Sequence, residues 1–205
     1  MEVPGGYENK TRVLLYEVLG TALLIFSLNA SESFDVYQPE AVAVTLYSIC
    51  TFIGPISGGH VNPAVTLGVF IREGRERIGE NVIYMLMLWV AQLIGAVIGV
   101  LLFTLTITKT GENQYFPGVA NLCPPIARTT DCTVSTHAGN YGFHVIAVEA
   151  IACFIFISSV LNVKYHSAPG EGRMGNLTVA LCLFCGILIS APVSGGGMNP
   201  ALSIV

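Results

Sequence analysis

Two stretches carry the chemistry of this chain: Ser57-Gly58-Gly59-His60-Val61-Asn62-Pro63-Ala64 and Ser194-Gly195-Gly196-Gly197-Met198-Asn199-Pro200-Ala201. Asn is a favoured helix N-cap because its side-chain oxygen accepts an otherwise unpaired backbone N–H, and Pro suits the first helical position. Each Asn-Pro pair therefore predicts a helix start, and each Asn side chain keeps amide donors with which to hold a passing oxygen. That is the chemistry of recognising a small polar molecule, not of making or breaking bonds. The sequence offers no nucleophile beside a base, no paired carboxylates, no metal-ligand cluster, and no Lys or Ser/Thr to turn the glycines into a phosphate loop. No enzyme activity, metal or cofactor is expected.

The elements that must position these motifs are membrane spans. Hydrophobic residues make up 53% of the chain and charged residues 11%, which places it in the membrane class. A net charge of −4 without a basic, aromatic-interleaved patch argues against nucleic acid. The polar opening Met1 to Arg12 runs directly into an apolar span, so no cleavable signal is expected. Five stretches, about 13–30, 40–56, 81–108, 141–163 and 174–191, reach or approach the roughly 17–25 residues of a full crossing. The run Ala64 to Ile71, by contrast, stops at Arg72 and covers only about half of a roughly 30 Å core. It enters the membrane without crossing it. Non-helical backbone at that depth is tolerated only where protein buries it or water lines it. The carbonyls of Gly58, Gly59, His60, Gly195 and Gly197 are therefore expected along a cavity.

The segment Tyr16 to Phe26 is similar to Val148 to Ile157, and each is followed by a span and an Asn-Pro-Ala. The pattern divides a single channel domain, 1–205, into a first repeat, 12–108, and an incomplete second, 141–205. An odd number of crossings separates the two motifs, so the repeats are inverted and a site lies between them at the midplane. There the two half-helix N-termini face one small volume and repel cations. Lys10, Arg12, Arg72, Arg75, Arg77, Lys164 and Arg173 fall on one side and only Lys109 and Arg128 on the other, which predicts a cytoplasmic N-terminus.

With its paired Ser-Gly-Gly-x-x-Asn-Pro-Ala loops, the intramembrane Glu17 and Glu149, and Ala91-Gln92 in the third span, the whole chain resembles the aquaporin family. The resemblance implies an all-α membrane protein, a six-helix bundle of inverted repeats with two re-entrant half-helices, assembled in the bilayer as a homotetramer. Each subunit then holds a passive pore for water or small neutral solutes that excludes protons and ions. The resemblance makes Asn62, Pro63, Ala64, Asn199, Pro200 and Ala201 the pore motifs and gives Glu17 and Glu149 the bracing of the re-entrant loops. A carboxylate inside a span must in any case face the protein interior and find partners there.

Positions matched by distance from each Asn-Pro-Ala make Val42, Ile187, Gly196 and Leu202 the outer selectivity filter, where the family usually carries a histidine and an arginine. Leu202 in place of arginine removes a fixed positive charge and its fork of N–H donors, leaving an apolar ring. A wide apolar ring would pass solutes such as glycerol, urea, ammonia or peroxide along with water, whereas a narrow one would close by dewetting. The sequence leaves both open. Ser203, where glycerol-conducting members carry an acidic residue, leans toward the water-conducting branch. Only five spans are read here; the counterpart of 80–108, roughly forty residues, is expected beyond Val205. Without it a partner subunit would have to cover the open face. The alternative is therefore a non-conducting, aquaporin-like structural or assembly subunit of a membrane complex.

Other features read as packing or solvated surface. Cys182 and Cys185, like Cys50 and Cys153, sit in apolar spans as small hydrophobes. Cys123 and Cys132, in the loop 109–140, would pair only on an oxidising side. The His60 ring is expected to hydrogen-bond within its own loop. Of the sequons at Asn9, Asn29 and Asn176, only that of Asn29 lies where glycosylation is feasible. Ala91-x3-Gly95-x3-Gly99 predicts a close helix approach. His137, His144 and His166 are expected in solvent.

Overall fold

The computed structural model describes residues 9–33, 38–73, 78–106, 138–168 and 170–205. Among them the chain forms α1 (Lys10–Ser33), α2 (Gln38–Ser57), α3 (Pro63–Glu73), α4 (Ile78–Thr106), α5 (Ala138–His166), α6 (Gly172–Ser194) and α7 (Pro200–Ile204), with no strand. Five of these, all but α3 and α7, are long and apolar enough to cross a membrane. Four of them overrun their sequence-predicted spans by a few residues at both ends, and α4 starts three residues before its own, because apolarity marks only the hydrocarbon core while the helix continues into the interface. The 11 residues of α3 rise about 16 Å, half of that core.

The order of long helix, long helix, glycine loop and short helix occurs twice, as α1–α2–α3 and α5–α6–α7. Both second helices end alike. Pro55 and Pro192 lie in their last turns, and Gly58 and Gly195 close them in the left-handed region at φ 90° and 88°, donating to Gly54 O and Ala191 O. Glycine adopts that conformation without steric cost, so the chain can turn back sharply toward the interior.

Helix α1 packs on α2 and α4, α2 on α6, and α5 on α6. The α1–α4 approach is close: a Cβ built on Gly95 would lie 2.5 Å from Val18 O, and one on Gly99 2.6 Å from Ala22 O. Small residues on α4 thus admit the α1 backbone. A core that includes Leu46, Ile49, Ile53, Val61, Val65 and Ala152 fills the centre. Leu15, Ile71, Ile83, Leu105 and Phe154 point outward and exposed, the solvated state for apolar side chains only in lipid.

Asn29, the sequon left open by the sequence, is corrected by the structure: it is 2% exposed and its amide donates to Ile25 O at 2.8 Å, inside the helix packing rather than at an accessible loop. On α6 Cys182 is half-buried and Cys185 exposed, both as free thiols. His144 and His166 are exposed. Arg75, Arg77, Lys109, Cys123, Arg128, Cys132 and His137 lie outside the described residues.

Candidate pore site

At the start of α3 and of α7 each asparagine uses its oxygen as a cap. Asn62 Oδ1 accepts from Ala64 N at 2.8 Å and Asn199 Oδ1 from Ala201 N at 3.0 Å, with Pro63 and Pro200 opening the helices. Capping aims the two amide nitrogens at the opposite loop. Asn62 Nδ2 donates to Met198 O at 3.0 Å, and Asn199 Nδ2 donates to Val61 O at 3.1 Å. Both asparagines are buried, at 4% and 7% exposure. Each amide nitrogen has a second N–H beyond this bond, so the junction holds donors whose oxygens are already spent.

The carbonyls that receive these bonds come from strained backbone. Val61 and Met198 sit at φ 43° and 41°, a region that costs a non-glycine residue on the order of 1–3 kcal/mol. The strain is offset by a carboxylate behind each loop. Glu17, fully buried, accepts from Ser57 Oγ (2.8 Å) and His60 N (2.9 Å) on one oxygen, and from Val61 N (2.7 Å) and Gln92 Nε2 (2.9 Å) on the other. Glu149 accepts from Ser194 Oγ, from Gly197 N at 3.2 Å and from Met198 N at 2.8 Å. Four donors address the first carboxylate and three the second. Gln92 also donates to Thr66 Oγ1 at 2.9 Å, and the His60 ring meets the same hydroxyl through Nδ1 at 3.2 Å.

Two cavities meet near this junction. The smaller, about 30 Å³, is bordered by Asn62, Asn199, Val42, Ile187, Gly196 and Leu202, so the four ring positions and the two asparagines share one space. It holds about one or two waters. Its walls are almost wholly apolar, with Leu24, Leu28, Leu46, Phe156 and Leu183 among them. The larger, about 700 Å³, lies at the end where α3 and α5 finish and is bordered by Cys50, Gly58, Gly59, Lys164 and Asn176 among others. Of the expected carbonyl row, Gly58, Gly59 and His60 border the larger cavity and Gly197 the smaller. Gly195 borders neither and serves as the C-cap of α6.

At the mouth of the larger cavity the Lys164 ammonium lies 3.5 Å from Glu73, the Tyr165 hydroxyl donates to the same carboxylate, and the Arg72 guanidinium stacks 5.1 Å over the Tyr165 ring. Burial alone would raise the Glu73 carboxyl, but the Tyr165 hydroxyl and the Lys164 charge outweigh it and hold it below the ordinary carboxylate range.

Sequence reasoning assigned no role to three participants, although Gln92 stood among the residues that carry the resemblance. The carbonyls of Val61 and Met198 are invisible in side-chain patterns, though both residues directly precede the Asn-Pro pairs. Gln92 carried a usable signal as a polar side chain deep in an apolar span, the kind of residue that needs a buried partner.

Residues 7–205 match the family model described as major intrinsic protein. The chain is 30% identical to "Probable aquaporin TIP2-2" of Oryza sativa subsp. japonica over 200 residues, which cover 94% of this chain and 69% of that protein. It is 34% identical to "Aquaporin TIP3-1" of Zea mays, covering 93% and 69%, and 29% identical to "Aquaporin NIP1-1" of Zea mays, covering 93% and 62%.

Proposed function

The chain belongs to the major intrinsic protein family, and from that premise we propose that it is a passive pore passing water or small neutral solutes while excluding protons and ions. The observation that carries this reading is the reciprocal bond pair, Asn62 to Met198 O and Asn199 to Val61 O, beside a cavity both asparagines border. A molecule crossing there meets donors and is held through its own lone pairs. A water bound by two such donors points its hydrogens away from both, so it cannot accept a proton from one neighbour and pass it to the next. A cation meets N–H groups and the positive end of α3, which repel it.

In this reading Glu17 and Glu149 brace the two loops, Val42, Ile187, Gly196 and Leu202 form the filter, and the two inverted halves share the junction. The end carrying Lys10, Arg12, Arg72, Lys164 and Arg173 faces the cytoplasm. Four subunits assemble with one pore each, as the resemblance implies.

The test is osmotic swelling of proteoliposomes holding the full chain, with an entrapped pH dye. Water permeability above that of empty vesicles, without proton leak, is expected. Asn199→Asp, which turns an anionic oxygen toward Val61 O and the lumen, is expected to admit protons or cations. A folded chain as impermeable as empty vesicles overturns the reading. The small apolar cavity favours a second reading, a subunit closed by dewetting at its ring. It predicts that Val42→Thr, which adds a hydroxyl at nearly constant volume, opens a pore that the wild type keeps shut.

A further inference from the structure

We propose that Phe156 is a size-determining residue of a second constriction, at the junction itself and separate from the apolar ring. Three side chains, Leu46, His60 and Phe156, border both the small and the large cavity, so passage from one to the other runs between them. All three are nearly inaccessible, at 2%, 6% and 3% exposure.

Each of the three is held in place. Leu46 is embedded in the central core among Ile49 and Ile53, and the His60 ring is tied to Thr66 through Nδ1 and backed by Gly58, where a Cβ would come 3.4 Å from Nε2. Phe156 belongs to the same central core as Leu46 and is the bulkiest of the three side chains. It heads a stripe on α5, Phe156, Val160, Val163 and Lys164, that borders the large cavity, so open volume lies directly beside its ring. Leu24 follows Glu17 by the same interval as Phe156 follows Glu149, and it borders the small cavity from the opposite half. The two halves thus carry at matching positions a branched aliphatic side chain and a bulkier, planar aromatic one. That ring fills the wall facing His60 and Leu46, and its width sets what slides between the lobes.

The inference rests on the channel reading above. The experiment measures water and glycerol permeability of the full chain in proteoliposomes for wild type, Phe156→Leu, Phe156→Trp and the ring variant Val42→Thr. Monodisperse elution and helical circular dichroism verify folding. Phe156→Leu restores the residue of the matching position and is expected to raise glycerol flux about tenfold, the change that follows from a barrier about 1.4 kcal/mol lower. Water flux rises less. Phe156→Trp is expected to abolish glycerol flux and reduce water flux; should it fail to fold, Phe156→Leu decides alone. If the Phe156 variants, made in the wild type or, where that is shut, in Val42→Thr, keep their parent's ratio of glycerol to water, the Phe156 assignment is wrong and the channel reading stands. If no protein conducts, Val42→Thr included, the channel reading fails and this assignment falls with it.

Discussion

Glu17→Gln isolates what the buried carboxylate contributes. The substitution keeps side-chain length and one acceptor oxygen, but converts the other into an NH2 group facing two donors. Hydrogen bonds to a charged group contribute about 1.5–3 kcal/mol and neutral ones about 0.5–1.5 kcal/mol, so two of the four bonds weaken by about 1 kcal/mol each and two are lost. Rotation of the Gln92 amide, which would present its oxygen to the new NH2, recovers about 1 kcal/mol of the sum. At the low end of these ranges the net loss is roughly 4 kcal/mol, and it falls on the loop 58–62, where Val61 N loses its acceptor and the bond from His60 N weakens. Glu149 receives three donors and is only half-buried, so Glu149→Gln should cost roughly half as much. Hydrogen exchange with mass spectrometry reads both effects. Peptides covering 58–62 should exchange about a thousandfold faster in Glu17→Gln, and those covering 195–199 about thirty- to a hundredfold faster in Glu149→Gln, at 1.4 kcal/mol per decade. Exchange within about threefold of wild type in Glu17→Gln, or a larger effect at Glu149, refutes the accounting of charge-assisted bonds.

Val42→Thr places a hydroxyl in the small apolar cavity and is expected to raise water permeability about tenfold by wetting the ring; unchanged flux in swelling assays would show that the ring does not limit water. Gly95→Ala gains up to about 1 kcal/mol of helix propensity, but its Cβ meets Val18 O at 2.5 Å, and overpacking costs about 1–3 kcal/mol or more, so thermal unfolding in detergent should shift down. Gly54→Ala, with open space around the added carbon, should be neutral or stabilising in the same assay, and equal effects of the two would contradict the close α1–α4 approach. Tyr165→Phe removes one of the groups that hold Glu73 below the ordinary carboxylate range. A depressed carboxyl adds stability above its unfolded value and loses it as pH falls through the folded one. The acid loss should therefore be smaller in Tyr165→Phe and complete at higher pH, and superimposable melting curves from about pH 7 to about pH 3 would remove that cluster from the stability of the mouth.

Much of this architecture was legible because the bilayer leaves few choices. Apolar runs of spanning length cannot be anything but helices in lipid, and a run as short as Ala64 to Ile71 cannot be a span, so α3 and its loop followed from length alone. Pro55 and Pro192 did not disturb this reading because they fall in last turns, where the lost hydrogen bond precedes a glycine C-cap. What the sequence withheld was direction. That Val61 and Met198 turn their carbonyls across the junction depends on a positive φ at non-glycine residues, which no residue type announces. That the apolar ring is narrow depends on how α2, α6 and the second loop approach, a distance that lists of side chains do not contain.

The polarity of the junction then follows from what is already consumed. Glu17 spends its charge on four protein donors, and both asparagine oxygens are spent on helix caps. At the junction, side-chain acceptors are thus turned inward to the protein while amide donors remain beside the cavity. On the channel reading, these donors would favour a neutral molecule with lone pairs over a cation. Just beyond, Val42, Ile187 and Leu202 offer no polar side chain, so a solute must give up its hydration at the step after it is held. On the proposed channel reading, selection would then be by cost of dehydration and by width rather than by fixed charge, the reverse of a filter built on arginine. Adding a donor at Val42 should relax it for water more than for larger solutes, and narrowing at Phe156 should act on solutes more than on water.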